Sequence, residues 1–394
     1  MSSQTEDITL RIVNGLATVD REQWNAIANP IGEPFDPFVT WEFLEALEAT
    51  GCVSPETGWS PHHVIAVDGS DTMIGAMPMY LKSHSRGEYI FDYAWADAYE
   101  NAGGAYYPKL LVAIPFTPVT GRRRLVAPGP NQGAIQDALI SAATKIAADN
   151  HISSVHMNFV DALEYEKLGA LGLLQRQDQQ FHWINNNYAS WDDFLGALSS
   201  AKRKNLRKER KTAQTGLIYR HFTGKDITED HWDIFYDFYQ DTGARKWGSP
   251  YLNREFFSLL SKRLADKILL VFAYDEESNQ PIAGAMNMVG SETLYGRYWG
   301  RSEERPCLHF ETCYYQAIDY AIAHGLKRVE AGAQGGHKLA RGYSPTATYS
   351  CHWLANESFS DAVAAYLERE RDHVAADMEY LGQRTPFRKG EEHQ

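Results

Sequence analysis

One short phrase occurs twice in the chain, and it constrains the fold more than any other feature. Gly75-Ala76-Met77-Pro78-Met79 in the first half returns as Gly284-Ala285-Met286-Asn287-Met288 in the second. Each copy follows an apolar, strand-like run, 63–67 or 269–274, and each precedes an aromatic segment. The shared order indicates a duplicated unit, and internal repetition decides how the rest of the chain is interpreted.

Both copies continue into a helix and a further strand. Residues 131–149 and 310–323 carry apolar side chains at helical spacing, and short strands are predicted after them at 152–157 and 326–330. The common order is therefore β-β-β-α-β. It predicts the α/β (α+β) class, with two domains that each have a mixed, mainly antiparallel sheet flanked by helices.

The aromatic segments 89–99 and 294–301 are predicted as the third strand of each copy. Strand side chains alternate between two faces, which places Asp97 in one copy, and Arg297 and Trp299 in the other, on a large mixed polar-aromatic face. That face lines a cleft or packs in a core, and both interpretations stand. Mostly small residues occupy the opposite faces and permit close approach by a helix or by backbone: Ala94, Ala96, Ala98, Gly296 and Gly300.

The composition is that of a cytoplasmic protein with more than one domain. A chain of 394 residues exceeds what one core usually supports. We predict domains at 1–190 and 216–394, joined by a connecting helix at 191–215. The first residues do not form a secretory signal, and no apolar run approaches a membrane span. The four cysteines lack a Cys-x-x-Cys pair, which argues against zinc or disulfides.

A strongly basic run, 202–211, stands out in a chain of net charge -13. It follows a Ser-Trp-Asp-Asp helix start at residue 190 and lies between the two repeats. Such a run is a solvated helix face in one interpretation. In the other it holds phosphates of a nucleotide, a coenzyme or tRNA, through Lys202, Arg203 and Arg207.

The glycine-rich segment 330–342 follows a predicted strand and brings four ionisable residues together. They are Glu330, His337, Lys338 and Arg341. An acid, an imidazole and two cations suit proton transfer combined with anion binding. The alternative is a glycine-rich loop held by its own salt bridges.

Two further segments are candidates for a binding site. Residues 105–122 are rich in prolines and aromatics and include Tyr107 and Lys109; they line a groove or cover the sheet. Arg245 and Trp247 follow an amphipathic helix, whose dipole alone would favour a cation there. Other histidines show no metal-ligand spacing and are predicted to be structural: His62, His63, His151, His156 and His352.

The β-β-β-α-β unit resembles the core of the GNAT acyltransferase fold, and its duplication resembles the bacterial FemAB-like family of predicted N-acyltransferases, called peptidoglycan biosynthesis or recognition proteins. The likeness spans roughly residues 35–385. Five segments carry it: 91–99, 106–109, 115–118, 245–248 and 334–338.

The resemblance implies transfer of an acyl or aminoacyl group from an activated donor, acyl-CoA or aminoacyl-tRNA, to an amine, with no metal. Many GNAT enzymes hold the coenzyme A pyrophosphate on a glycine-rich loop after the third strand. Here 302–309 has no glycine, while glycines at 100–104 of the first copy precede a long excursion. Fem-type enzymes use aminoacyl-tRNA instead, which fits the basic helix.

We therefore expect Glu330 or His337 to act as general base, with Tyr315 or Tyr343 protonating the leaving group. Cations or backbone amides would stabilise the oxyanion. The acceptor is a small molecule or a cell-wall precursor. Alternatives are a non-catalytic module that recognises a peptidoglycan precursor or nucleotide, and nucleic-acid binding through the basic helix. The expected substrate-binding residues are Asp97, Tyr107, Lys109, Arg245, Trp247, Arg297, Trp299, Lys338 and Arg341.

Overall fold

The computed structural model describes residues 8–246, 250–332 and 335–388, with the side chains of 244–246 excepted. Contacts divide the chain into two compact units, Met1–Asp178 with Ala347–Val374, and Gln179–Thr346 with Ala375–Gln394. The sequence predicts domains at 1–190 and 216–394, whereas the contacts assign 179–190 to the second unit and 347–374 to the first. The latter stretch joins the first unit because Val363 and Leu367 pack in a core cluster with Trp95 and Tyr106.

The first unit contains two sheets and the helices that cover them. Its elements are β1 (Thr9–Val13), α1 (Arg21–Ala28), α2 (Trp41–Ala49), β2 (Trp59–Pro61), β3 (His63–Val67), β4 (Met73–Met77), β5 (Met79–Lys82), α3 (Tyr93–Asn101), β6 (Lys109–Val112), β7 (Leu125–Val126), α4 (Gln132–Asp149), β8 (Ser154–Val160) and α5 (Ala162–Ala170). One sheet has the order β1-β3-β4-β7, and β2, β5, β6 and β8 follow one another in the other. Strands β6 and β8 are parallel.

The chain enters the second unit through β9 (Leu174–Ile184). The other elements of this unit are α6 (Trp191–Ala197), α7 (Ser200–Gln214), β10 (Leu217–Phe222), α8 (Glu229–Lys246), α9 (Arg254–Leu264), β11 (Ile268–Asp275), β12 (Pro281–Val289), β13 (Thr293–Arg301), α10 (Leu308–Phe310), α11 (Gln316–Ala323) and β14 (Arg328–Glu330). The chain continues with β15 (Tyr343–Leu354) and α12 (Glu357–Gly382), and most of both elements belongs to the first unit. Strands β10, β11, β12, β13, β14 and β9 are successive neighbours. The pair β13 and β14 is parallel.

The repeated phrase occupies equivalent places in the two units. Gly75 on β4 pairs with Ala66 of the preceding antiparallel strand, and Gly284 on β12 pairs with Phe272. Helices α4 and α11, with the strands β8 and β14 that follow, occur where the sequence predicts them. The duplicated β-β-α-β core is therefore confirmed.

The predicted third strand at 89–99 is wrong. Residues Tyr93–Asn101 form helix α3, and the strand that pairs with the phrase in the first unit is β7, through Gly75 and Val126. In the second unit β13 has this role, through Gly284 and Gly300. The first-unit counterpart of the loop at 302–309 is therefore the segment between β7 and α4, not residues 100–104.

The basic segment forms a separate helix. The Ser190 hydroxyl accepts a hydrogen bond from the Asp193 amide at 3.1 Å and caps α6, as predicted. The chain becomes extended at Leu198, and α7 begins at Ser200. Leu206 and Ala213 are the buried side chains of α7, so the helix rests on a narrow apolar stripe.

Candidate functional site

Strand β13 brings Arg297 and Trp299, two residues of the predicted polar-aromatic face, to one cavity in the second unit. A bulge interrupts its pairing with β12 between Met286 and Asn287, opposite Gly296. Bulges re-aim side chains and are common beside functional sites. The irregularity leaves a cavity of about 80 Å³ beside the strand. Its lining includes Asn287, Arg297, Trp299, His309, Cys313 and Tyr314.

A π-helical turn, Glu311–Tyr315, joins α10 to α11 and supplies Cys313 and Tyr314 to the cavity wall. Such a turn inserts one residue into the helical repeat and frequently occurs at functional sites. The imidazole of His309 lies over the Trp299 ring, with 4.3 Å between ring centroids. The wall is therefore aromatic, with a phenol and an imidazole among its rings.

The predicted His337 reaches this wall. Its Nε2 lies 2.9 Å from the Tyr314 hydroxyl, and the residue as a whole is exposed. Gly335 precedes it with φ of +115°, and a Cβ there would lie 2.3 Å from the imidazole Cε1. Glycine at 335 thus provides both the backbone conformation and the space that the imidazole occupies.

Lys338 points inward from the same 3-10 turn, Gly336–Arg341. The side chain is buried, and its Nζ donates to the Gly332 carbonyl at 2.7 Å. Burial, reinforced by the Arg297 charge, lowers the pKa of Lys338 to about 7. A lysine of this kind exchanges its proton near neutral pH.

The acid of the segment lies deeper. Glu330 ends β14 with 1% of its surface exposed, and the Arg328 guanidinium is 3.5 Å from its carboxylate. His182 pairs with Glu330 across the strands. Burial, followed by the charges of Arg328, Arg297 and Lys338, lowers the pKa of His182 to about 3, so this imidazole is neutral.

Arg341 is held between three groups. Its Nη1 donates to the His337 carbonyl at 2.6 Å, and its Nη2 donates to the Glu209 carboxylate at 2.9 Å. Its guanidinium carbon lies 3.3 Å from the centroid of the Phe310 ring. The Tyr315 hydroxyl donates to the same Glu209 oxygen at 2.6 Å. Helix α7 is thus tied to the glycine-rich segment.

Of the predicted residues, one group comes together in the second unit: Arg297, Trp299, Glu330, His337, Lys338 and Arg341. Tyr343 is fully buried, with its ring 5.4 Å from that of Tyr314. Tyr315 is buried and is directed to Glu209. The phenol at the cavity wall is therefore Tyr314, which is not among the predicted tyrosines.

Other predicted residues lie elsewhere. Asp97 is exposed on α3 in the first unit. This differs from the predicted cleft position because a helix, not a strand, carries it. Trp247 lies outside the described residues, as does the side chain of Arg245.

Tyr107 and Lys109 belong to a buried polar centre in the first unit. The Lys109 Nζ donates to Glu88 at 2.8 Å and to Asp92 at 2.5 Å, and Ser85 bridges it to the Tyr107 hydroxyl. Burial raises the pKa of Glu88 to about 7. The expectation that Lys109 contacts substrate is not supported by this position, since its side chain is fully buried among these partners.

Two histidines extend this centre. The Nδ1 atoms of His156 and His352 are 2.7 Å apart. The Nε2 atom of each ring is hydrogen-bonded to a serine hydroxyl, that of Ser154 or Ser350. Burial lowers the pKa of His156 to about 3, and that of His352 falls as well. Their structural role, predicted from the sequence, agrees with this complete burial.

Helix α7 borders a groove of about 390 Å³. Of the predicted phosphate-binding residues, Arg207 lines it and forms an exposed ion pair with Asp192 at 3.1 Å. Lys202 and Arg203 lie half-buried in the first turns of the helix. The other lining residues are Trp191, Arg210, Lys211, Gln214 and Thr215.

Metal ligation finds no support in the described part of the chain, where no group of three or more His, Cys, Asp or Glu side chains could hold an ion. Nor is any helix among the described residues long and apolar enough to cross a membrane.

The mixed sheets and the repeated core define an α/β protein with two GNAT-like units in tandem, the predicted fold. The chain belongs to the FemAB-like family, described as peptidoglycan biosynthesis/recognition, whose model matches residues 15–389. No curated protein matches the sequence significantly.

Among solved structures, FemX is similar with a TM-score of 0.53 and 12% identity, covering 88% of this chain and 98% of that one. L-PGS from Bacillus licheniformis has a TM-score of 0.50 and 10% identity, and the match covers 86% of this chain and 99% of that one. The C-terminal domain of a putative lysylphosphatidylglycerol synthetase from Agrobacterium fabrum has a TM-score of 0.51 and 9% identity. The match covers 88% of this chain and 96% of that one. At these identities the likeness concerns the fold.

Proposed function

We propose that the protein transfers an acyl or aminoacyl group from an activated ester or thioester to an amine of a cell-wall precursor. Membership of a family described by peptidoglycan biosynthesis/recognition supports the acceptor class. The observation that carries the reaction is the cavity in the second unit. An imidazole–phenol pair converges on it, together with the half-buried Arg297 and, beside it, the buried Lys338.

His337 is the general base of this proposal. It is exposed, whereas Glu330, the other predicted base, is buried beside Arg328. The amine nitrogen attacks the carbonyl carbon and gives its proton to the imidazole. A positioned base of this kind contributes roughly 10²–10⁴-fold to rate.

Tyr314 is the proton donor to the leaving group. Burial raises the pKa of Tyr314, so its hydroxyl stays protonated and able to donate. Its 2.9 Å contact with His337 offers a path by which the proton taken from the amine replaces the one donated. The amide bond forms as the C–O or C–S bond breaks, and the leaving oxygen or sulfur receives the proton.

Arg297 and Lys338 provide positive charge for the tetrahedral oxyanion. Arg297 lines the cavity, and its charge acts on the buried Lys338 amine. Fixed cations in a site of low water content stabilise a developing oxyanion strongly. Trp299 lines the same cavity and would shape the substrate pocket. Arg341 is buried and paired with Glu209, so it is not assigned an anionic group of the substrate.

The α7 groove is the proposed place for phosphates of the donor. Arg207 and Lys211 line it, and Trp191 adds an aromatic face on which Arg210 stacks at 4.3 Å. Both an acyl-CoA and an aminoacyl-tRNA present phosphates with a ring system. The groove therefore supports a phosphate-bearing donor of either type.

The test is product formation by the full chain with a UDP-linked muropeptide and, in turn, aminoacyl-tRNA or acyl-CoA. Mass spectrometry would detect acylation of the acceptor. His337→Ala and Tyr314→Phe are expected to lower turnover about 100-fold or more, while Tyr320→Phe, a half-exposed phenol on α11, keeps it. Full turnover in His337→Ala overturns this assignment.

A recognition protein without catalysis is the second candidate. The loop that follows β13 favours it, because Arg301 and Arg305 there pair with Glu304 at 3.4 Å and Glu303 at 2.9 Å. The two acids match the two cations of this loop, which leaves no excess positive charge to hold a phosphate, unlike the excess of cations on α7. Thermal stabilisation by the muropeptide alone, with none by either donor, would support recognition; stabilisation by a donor supports the enzyme.

A further inference from the structure

Glu209 is the acid within the basic run 202–211. An acid there weakens any affinity of the helix for phosphates, so its position calls for a structural reason. Its side chain is 30% exposed and is turned toward the glycine-rich segment.

The Glu209 carboxylate holds two groups through one oxygen. Its Oε2 accepts from Arg341 at 2.9 Å and from Tyr315 at 2.6 Å. Bonds between ionised groups are about twice as strong as neutral ones. Arg210, the neighbouring cation on α7, pairs instead with Glu311 and Asp319. The carboxylate of Glu209 therefore binds Arg341 of the 3-10 turn. The charge of Arg210 is neutralised by Glu311 and Asp319 instead.

Arg341 links the Glu209 carboxylate to the backbone of His337. Arg341 is 6% exposed, and its guanidinium donates to the His337 carbonyl at 2.6 Å while it lies on Phe310. Without its carboxylate, Arg341 would be a buried cation lacking its anion, which is costly enough to expel it toward water. The His337 carbonyl would then lose its donor, and the imidazole would lose its fixed distance from Tyr314.

We infer that Glu209 is a positioning residue that acts through Arg341 to hold the His337 imidazole against Tyr314. The importance of this for turnover rests on the proposed function, in which His337 is the base. The geometric restraint itself does not depend on any substrate.

The experiment follows the His337 ring in full-length protein labelled with ¹³C and ¹⁵N at histidine. Its cross-peak is assigned from His337→Gln. Glu209→Ala and Arg341→Ala are each expected to displace the peak, and the double variant adds nothing to either single change. Glu209→Gln keeps an oxygen acceptor and returns the peak toward that of the parent. Glu255→Ala, the same change at an exposed helix position of this unit, leaves it unmoved.

Amide hydrogen exchange supplies a second readout. The Lys338 amide donates to the Gly335 carbonyl at 3.0 Å, and the Gly342 amide donates to the Leu339 carbonyl at 3.2 Å. Both should exchange about tenfold faster in Glu209→Ala, as expected when a bond to a charged group is lost. An unchanged His337 peak with unchanged exchange in a folded Glu209→Ala protein overturns the inference.

Turnover separates this inference from the proposed function. If Glu209→Ala moves the His337 signal and His337→Ala still turns over fully, the positioning holds and the base assignment fails. If His337→Ala abolishes turnover while Glu209→Ala leaves both signal and rate unchanged, the positioning is wrong and the proposed function stands.

Discussion

Lys338 illustrates how the environment of one side chain sets its chemistry. An exposed lysine at the same place would remain a cation at any physiological pH. Here the side chain is 2% exposed and faces the Arg297 charge, and its pKa lies near 7. The proton that leaves Lys338 near neutral pH makes the charge of the proposed oxyanion site dependent on pH.

Replacing this amine by an apolar chain gives a prediction about stability. The folded pKa of Lys338 is depressed from 10.5, so between pH 7 and 10.5 the unfolded chain binds a proton that the folded protein does not. Lys338→Met is expected to raise the free energy of unfolding on the order of 2 kcal/mol below pH 7, after loss of the Gly332 hydrogen bond. The gain disappears as the pH approaches 10.5.

Denaturant unfolding at pH 6, 8 and 10 would measure the effect. Lys262→Met, at an exposed position on α9, should give differences that do not change with pH. A Lys338→Met advantage that persists at pH 10 would show that lost charge burial is not its cause.

The sequence locates most of the proposed site, for a physical reason. Glu330, His337, Lys338 and Arg341 lie within one short segment, so their proximity follows from chain connectivity. The partners of this segment come from distant elements. Glu209 and Tyr314 meet it only after folding, and a single sequence carries no signal of that pairing, apart from the odd acid in a basic run.

Strand β13 shows how glycine sets the packing of a whole element. A Cβ at Gly300 would lie 1.9 Å from the backbone oxygen of Phe238 on α8. A Cβ at Gly296 would meet its nearest neighbour, the Glu330 backbone oxygen, at 3.4 Å. A helix approaches closely at Gly300, as predicted for a small residue. The single small-residue face is wrong, because the bulge at Arg297 turns Gly296 to the cavity side with Trp299.

Alanine at these two positions of one strand should therefore have different effects. Gly300→Ala forces α8 away from the sheet and is expected to cost roughly 3 kcal/mol. Gly296→Ala fits, changes stability by less than about 1 kcal/mol, and narrows the cavity. Thermal unfolding of the pair gives the comparison. Equal losses would mean that α8 does not fix the strand.

The segment 89–99 shows that a residue pattern alone does not decide between a strand and a helix. Its aromatics alternate with alanines, which matches a strand at period 2, yet alanine is the strongest helix former. Tertiary contacts decide the outcome. As a helix, α3 buries Trp95 and Ala96 against the first-unit core, and Asp92 before it reaches Lys109. A strand would separate these contacts onto two faces.

Acid sensitivity is a property of the whole molecule, because each unit buries neutral imidazoles. The folded pKa values of His156 and His182 lie near 3, below the ordinary 6.5. Below pH 6.5 the unfolded chain takes up protons that the folded protein refuses. Their contribution to stability is complete above pH 6.5 and is lost as the pH falls toward 3.

Glutamine at either position removes the loss of stability at low pH, because its side chain does not take up a proton. His156→Gln and His182→Gln are expected to be less stable than the parent at pH 7.5, since buried hydrogen bonds are lost, with a difference that narrows by a few kcal/mol toward pH 4. Melting temperatures across this range measure it. The melting temperature of His324→Gln, a change at an exposed position, should differ from that of the parent by the same amount at every pH. A difference that stays constant would contradict the buried neutral state.

The net charge of -13 makes any affinity for a polyanion a local property of α7. If phosphates of a donor bind there, affinity must fall steeply with salt, since each neutralised phosphate releases counterions. Arg203→Glu with Arg207→Glu should weaken aminoacyl-tRNA binding and flatten its salt dependence. Lys225→Glu with Lys262→Glu, an equal change of charge at two exposed positions outside α7, should leave both unchanged. Equal loss in the two proteins would assign the effect to net charge, whereas an unchanged salt slope in the α7 variant would exclude the helix as the phosphate site.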